Sequence, residues 1–436
     1  MKSMKRERRR SQAVPDYGKG MVVGIDISKG RFDYGAFRPD CRTKTRRLPQ
    51  TLGGFEALEA DLRELRAEGW VVWVALEPTG HYGVCLQVWL QARGWKVFQV
   101  NPYHVKRTRE VRDNDPGSHD GKSPGVIADL VWEGKYYQPV PLEGSYAELR
   151  HCSREWGELT REGTRLRNRY RALLEVWFPE LDQLFKDALA KSVRALVRHY
   201  QSPQQLAGKR RGHLERVLRE GTRGRGVHRA GAIREAARRS VAPEAGQTSR
   251  RERLVGLLER LEVVERQRER LVGRMGLWLE GCEETPYLRS VPGIGTVTAG
   301  RLLGECGSFR NFPKGKALEK FIGLNLYAVD SGKHHGKSHL AKRGRPEARA
   351  ALGQAVLGQL RRNGIFAALA ERMRAEKRGR EGKVRFGELR VAAARRLLEL
   401  LFAVVRDKQC FDRERYLTGA RTGDGPVILQ GVPQVA

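Results

Sequence analysis

Three acidic residues are placed for metal-assisted chemistry on a phosphodiester. Asp26 interrupts the apolar run Val22-Val23-Gly24-Ile25-Asp26-Ile27, and Glu77 follows directly on the run Val71–Leu76. A carboxylate within or at the end of a buried strand is costly unless it is paired or holds a metal. Asp120 ends the segment Asp113-Asn-Asp-Pro-Gly-Ser-His-Asp120, just ahead of a helical pattern. Carboxylates brought together repel one another and call for a cation. Mg2+ suits them, because it is hard, binds few carboxylates and keeps water or phosphate oxygens in its shell. Two such ions about 3.5–4 Å apart can activate an attacking oxygen and stabilise a leaving one. The expectation is a two-ion Mg2+ site on Asp26, Glu77 and Asp120, with Lys29 as a nearby nucleic-acid contact. Three unrelated surface acids are the alternative, but order, strand placement and basic surroundings favour the cluster.

The elements that must position these residues follow from periodicity. Val22–Ile27 reads as a buried strand, Arg31–Phe37 as its hairpin partner, and residues 43–48 as a third strand with a polar edge. Residues 54–68 have helical spacing and end at a glycine. Val71–Leu76 is a strand, Tyr82–Arg93 an amphipathic helix and Trp95–Val100 a strand. A loop rich in Asp, Gly and Pro then leads to a helix over about 124–133. The order β-β-β-α-β-α-β-α is that of an α/β layer, and it resembles RNase-H-like (RuvC-like) domains. This domain is assigned to residues 21–142.

Composition narrows the partners. The 436 residues are enough for two or three domains, and a net charge of +32 favours a polyanion such as DNA or RNA. No apolar run approaches the ~20 residues of a membrane-spanning helix. The basic start of the chain is followed by no apolar stretch, so residues 1–20 are expected to be a disordered arm rather than a signal. Six scattered cysteines without a C-x-x-C pair argue against a zinc ribbon or a disulfide scaffold and fit reduced thiols in a cytoplasmic, nucleoid-associated protein.

Beyond about residue 143 the pattern becomes helical. Leu149, Cys152, Trp156, Leu159, Gly163, Leu166, Tyr170, Leu173 and Trp177 recur at steps of three and four, as a coiled-coil seam does. A second seam runs from Leu254 to Trp278, broken only by Arg268. The two could pair within one chain as an antiparallel hairpin, or between chains in a homo-oligomer (dimer or tetramer); a plain helical bundle is the alternative. Between them, residues 209–239 carry 11 Lys/Arg against 3 acids, with glycines at 221, 224, 226 and 231 among them, which suggests a flexible phosphate-binding segment. This helical coiled-coil linker is assigned to 143–283, a mostly α C-terminal domain to 284–412, and a disordered tail to 413–436. In the C-terminal domain Gly293 and Gly295 form a turn between helices whose amides could approach a phosphate. Lys337, Lys342, Arg343, Arg345 and Arg349 form a basic cluster suited to phosphate anchoring.

The segments Gly24-Ile-Asp-Ile-Ser-Lys29, Ala75-Leu-Glu-Pro-Thr-Gly-His-Tyr82 and Asp113–Asp120, with Val126-Ile-Ala-Asp-Leu130, resemble IS110/IS1111-type insertion-sequence transposases over nearly the whole chain. The resemblance implies a RuvC-like domain with a D-E-D-D set, the first three acids falling on Asp26, Glu77 and Asp120. The fourth position is Ser123, a neutral hydroxyl in place of an acid; Asp115 and Asp129 are nearby substitutes. The run Phe321–Arg349 resembles the family's serine-bearing segment, which makes Ser331 the candidate nucleophile, with Ser338 as a second and His334 or Lys333 as activators. The resemblance further implies DNA transposition or recombination, a composite site with the carboxylates within or between subunits, and a structured guide RNA whose base pairing selects the DNA. A RuvC-like structure-specific nuclease or junction resolvase, and a catalytically degenerate nucleic-acid-binding homologue, are the alternatives.

Overall fold

The computed structural model describes residues 18–78, 80–113, 123–139, 141–224, 226–327, 338–378 and 384–416. The chain divides into two compact units, Met1–Pro141 and Leu142–Ala436.

The first unit is a mixed α/β layer structure. Its elements are β1 (Gly20–Ile27), β2 (Arg31–Phe37), β3 (Arg46–Pro49), α1 (Leu52–Ala67), β4 (Val71–Leu76), α2 (Val84–Ala92), β5 (Val97–Val100), α3 (Pro102–Asp113), α4 (Ser123–Trp132) and β6 (Tyr136–Tyr137). The six strands form one sheet in the order β3-β2-β1-β4-β5-β6. β1 pairs antiparallel with β2 and parallel with β4, β4 pairs parallel with β5, and β6 closes the far edge antiparallel to β5. The short spacing of β1 and β2 permits a hairpin, whereas β1 and β4 need the α1 crossover to run parallel.

The strand period of two splits the apolar residues between two cores. Val23, Ile25 and Ile27 pack with Phe32, Leu58, Leu62, Leu86 and Leu90 under α1 and α2. Val22, Trp73, Ala75, Phe98 and Val100 pack on the other face under α3 and α4, with Val105, Ile127, Leu130 and Val131. Gly24 lets α4 come down on the sheet: a Cβ there would stand 1.9 Å from the Pro124 carbonyl oxygen. Backbone cannot yield as a flexible side chain would. Gly24→Ala is therefore expected to destabilise the protein by about 1–3 kcal/mol, the usual range for overpacking, seen as a lowered urea midpoint.

Two elements of this unit depart from the sequence expectation. The stretch after Val100 is not loop throughout, because Pro102–Asp113 forms α3. Its polar composition, with Val105 as its buried apolar anchor, hides the helix. β6 is too short to show a period.

The second unit is mostly helical. It comprises α5 (Gly144–Trp177), α6 (Leu181–Leu184), α7 (Lys191–His199), α8 (Pro203–Ala207), α9 (Arg211–Thr222), α10 (Ala230–Arg238), α11 (Gln247–Glu280), α12 (Thr285–Ser290), α13 (Thr296–Cys306), α14 (Gly315–Ile322), β7 (Leu326–Tyr327), β8 (His339–Leu340), α15 (Pro346–Gln359), α16 (Ala367–Arg378) and α17 (Phe386–Arg406). The long helices α5 and α11 pair antiparallel within the chain. Gln247 Nε2 donates to the Trp177 carbonyl at 3.4 Å at one end, and Arg274 meets Glu155 at 3.6 Å towards the other. Arg268, the interruption of the second seam, lies over the Trp156 ring at 4.3 Å. Burial and the neighbouring Arg167 lower its pKa. Most of the apolar residues of the two seams are thus buried within the chain.

One core runs from these helices into α13, α15 and α17, so the helices assigned to a linker and those assigned to a C-terminal domain pack together. Gly304 makes the junction close: a Cβ there would meet the Leu149 carbonyl oxygen at 2.4 Å. The basic stretch 209–239 is not a flexible segment. It folds as α9 and α10, with Leu214, Val217, Leu218, Ala230, Ile233 and Ala237 buried and most of its arginines outside. Helical spacing of these six apolar residues outweighs the glycines, which sit at helix ends or on open faces. Residues 413–416, expected to lie in a disordered tail, belong to the fold, since Tyr416 packs its ring against Phe366 and Phe411 at 6.5 and 5.6 Å; residues 417–436 lie outside the described residues. All six cysteines are free. Among the described residues no helix is long and apolar enough to cross a membrane.

Candidate functional site

The parallel register of β1 and β4 ends at Ile25 opposite Leu76, so Asp26 and Glu77 are the next pair along the two strands. Adjacent strands lie about 4.8 Å apart. Both residues share the sheet face of Val22, Trp73 and Ala75, the face covered by α4. On its other side Asp26 is in register with Asp33, which is itself in register with Arg47. A row therefore crosses the sheet: Arg47, Asp33, Asp26, Glu77.

The acids of this row have different surroundings. Asp33 is buried and accepts a hydrogen bond from Arg47 Nε at 2.8 Å. Glu77 is half-buried, and its pKa is raised first by that burial and then by Asp26, with the Arg109 guanidinium of α3 pulling the other way. Like charges facing each other across strands are destabilising. The raised Glu77 pKa records that Asp26 lies close enough to repel it.

The first turn of α4 bears on the same place. Pro124 lies over Gly24, and Trp132 over Gly20, so α4 runs antiparallel to β1 and points its N-terminus towards the Asp26 end of the strand. That end of a helix carries partial positive charge. Ser123 opens the helix, is 1% exposed, and its Oγ is buried without a hydrogen-bond partner. Asp129 is drawn away from this end, where Arg42 Nη2 holds it at 3.1 Å.

The donor set present is two adjacent carboxylates and an orphaned hydroxyl at a helix N-terminus. It fits a hard divalent cation in charge and in donor type, but with one acid fewer than three. Among the described residues no three His, Cys, Asp or Glu side chains come together as metal ligands. Asp120 and Asp115 lie outside the described residues.

Of the expected nucleic-acid contacts, Lys29 is exposed in the turn after β1. Gly293 joins α12 to α13 with φ of 91°, and its missing Cβ faces the Ala355 carbonyl of α15 at 2.8 Å, so packing within the unit accounts for this glycine. Gly295 caps α13 with open space at its Cα. Lys342 and Arg343 are exposed, while Arg345 is half-buried over the Phe321 ring at 5.1 Å. Arg349 is used inside the fold, where it donates to the Ile322 carbonyl at 2.6 Å. Ser338 is exposed beside β8. Ser331, Lys333, His334 and Lys337 lie outside the described residues. Their flanks are joined, Leu326 with Leu340 and Tyr327 with His339, in a two-stranded ribbon.

Sequence reasoning missed Asp33, Arg47 and Arg109. A lone Asp in the alternating strand Arg31–Phe37 looks like a solvent-face residue, and only the strand register places it beside Asp26. Arg109 gives no visible signal, since the helix that carries it is too polar to show an apolar period.

Comparison with known proteins finds transposases and insertion-element proteins. A family model described as transposase, named for the DEDD domain of IS110, matches residues 23–179, and a second, described as the transposase IS116/IS110/IS902 family, matches residues 285–371. An uncharacterised 43.6 kDa protein of insertion element IS110 from Streptomyces coelicolor is 25% identical over 394 residues, 89% of this chain and 94% of its own length. An uncharacterised 44.8 kDa protein of insertion element IS116 from Streptomyces clavuligerus is also 25% identical, over 89% of this chain and 95% of its own length. A pilin gene-inverting protein from Moraxella bovis is 32% identical over 128 residues, 29% of this chain and 38% of its own. With two separate stretches of the chain matched by transposase models of one family and 89% of its length matched by two insertion-element proteins, the chain belongs to the IS110 family of insertion-element transposases.

Proposed function

We propose that the protein cuts and rejoins DNA at the ends of an insertion element, using Asp26, Glu77 and Asp120 to hold divalent cations, Mg2+ by donor type, and Ser331 as the nucleophile. The observation that carries the reading is the Asp26–Glu77 pair, next to each other on parallel strands, with the Glu77 pKa raised by burial and by Asp26. The strand order, with β2 antiparallel in an otherwise central parallel pair, supports an RNase-H-like, RuvC-type assignment for the first unit. Cations bound there would stabilise charge on the attacking and leaving oxygens.

The chain's own residues do the remainder. Ser331 Oγ attacks phosphorus, giving up its proton; the Oγ–P bond forms, the P–O bond to deoxyribose breaks, and the departing oxygen takes up a proton. His334 or Lys333 is the proton acceptor. The phosphoserine ester keeps the bond energy, so rejoining by a strand hydroxyl needs no ATP. The net charge of +32 supports backbone contacts to DNA and to a guide RNA of the element, whose pairing would select the site.

The test is incubation of the full chain, with the element's RNA, and a plasmid carrying the element ends, in Mg2+, Mn2+ or EDTA. Cation-dependent cutting and joining is the expected result; equal products in EDTA would overturn the reading. Ser123→Asp belongs in the same assay. A further carboxylate beside the pair should lower the cation concentration at half-maximal rate by roughly tenfold, about 1.4 kcal/mol of added attraction.

A further inference from the structure

On the opposite face of the sheet from α4, where β1, β3 and β4 end, the structure holds a second site. A cleft of about 400 Å³ opens between the turn after β1, the start of α1 and the turn leading into α2. We infer that this cleft receives one unpaired nucleobase of the nucleic-acid strand being processed, a role that rests on the proposed function and adds a substrate contact to it.

Position is the first argument. The cleft lies beyond the carboxyl ends of β1 and β4, the strand ends that carry Asp26 and Glu77. Lys29 of the cleft follows Asp26 by three residues, and His81 follows Glu77 by four. A strand whose phosphate lies at the carboxylates has its neighbouring nucleotides within reach of this rim.

Chemistry is the second. The walls are aromatic: His81 and Tyr82 have ring centroids 4.4 Å apart at 45°, and Phe55 and Trp89 lie 5.7 Å apart at 60°. Base stacking on such rings is worth about 1–3 kcal/mol and tolerates any sequence. The rim carries the Lys29 ammonium, and among the described residues none that lines the cleft is acidic, which suits a phosphate beside the base. The volume falls in the range of about 300–1,000 Å³ typical of small-ligand sites.

The cleft is also held open by its own hydrogen bonds. Gln50 Nε2 donates to the Ser28 carbonyl at 2.7 Å, tying the entry to α1 to the turn after β1, and Thr51 Oγ1 accepts from Gly54 N at 3.3 Å. The amide oxygen of Gln50 and the hydroxyl proton of Thr51 are then the groups that can meet a base edge.

The experiment is fluorescence titration of the full chain, in EDTA, with short single strands carrying one 2-aminopurine, in a DNA arm and an RNA arm. Quenching in either arm supports the site and shows which strand supplies the base. Tyr82→Ala should weaken binding roughly tenfold, Tyr82→Phe should retain it, and Cys85→Phe, which fills the cleft from an exposed position, should weaken it as well. Absence of quenching in both arms, or affinity unchanged in folded Tyr82→Ala and Cys85→Phe, would overturn the inference. Because no cation is present, quenching that persists while the cutting assay fails would refute the proposed activity and leave the cleft assignment standing.

Discussion

Replacing Glu77 by glutamine is expected to reduce cation-dependent DNA cutting by roughly three orders of magnitude or more, while raising the thermal stability of the metal-free protein at pH 7. The loss follows from removing one of the three carboxylates proposed to hold the cations; a thousandfold corresponds to about 4 kcal/mol of transition-state stabilisation. The gain follows from the sign of the Glu77 shift. Its pKa in the folded chain is raised above the ordinary 4.5, so the folded state holds this proton more tightly than the unfolded chain does. Stability from this group is complete below the unfolded value, falls as pH rises through the folded value, and stays lower at pH 7. Glutamine cannot ionise, so the variant should melt higher than the parent at pH 7 and with little difference near pH 4. Added Mg2+ should raise the melting temperature of the parent and not that of the variant, because a ligand stabilises only the state that binds it. Scanning calorimetry at the two pH values, with and without Mg2+, checks all of this.

Replacing Ser331 by alanine is expected to remove every covalent protein–DNA adduct and all strand joining, with cation binding intact. Alanine leaves no oxygen to form the phosphoserine ester, so the loss should be complete rather than partial. Denaturing gels of reactions with end-labelled element DNA would show a slow-migrating adduct in the parent and none in the variant. The same gels separate the alternative reading. A junction resolvase or plain nuclease activates water at its carboxylates, and would still cut after Ser331→Ala without ever forming an adduct. Ser338→Ala in parallel decides between the two serines, since Ser338 is the other hydroxyl of this segment considered for the role.

Much of the first unit was legible because its strands are short, apolar and punctuated. Val71–Leu76 is the strand expected, and Val22–Ile27 differs only in beginning at Gly20. The pairing of Asp26 with Glu77 was legible only as a type of neighbourhood; the register that makes them adjacent depends on long-range strand pairing. The compensating charges were not legible at all. Arg47 meets Asp33 across a hairpin register, and Arg109 lies on a helix too polar to betray itself. The burial of Ser123 likewise depends on Gly24 admitting α4, a contact between residues 100 positions apart. In the second unit the seams of α5 and α11 were visible as spacing, but spacing cannot say whether a seam is filled by the same chain or another. The helices of 209–239 were hidden by charge, although Leu214, Val217 and Leu218 sit on one helical face.

The central claim is that Asp26 and Glu77 form a divalent-cation site. Isothermal titration of Mn2+ into the full-length protein and into Asp26→Asn, at pH 7, tests it most directly, since heat of binding does not depend on DNA, RNA or Ser331. The account predicts saturable binding to the parent and at least tenfold weaker binding to Asp26→Asn. Equal affinity in the two proteins would contradict it.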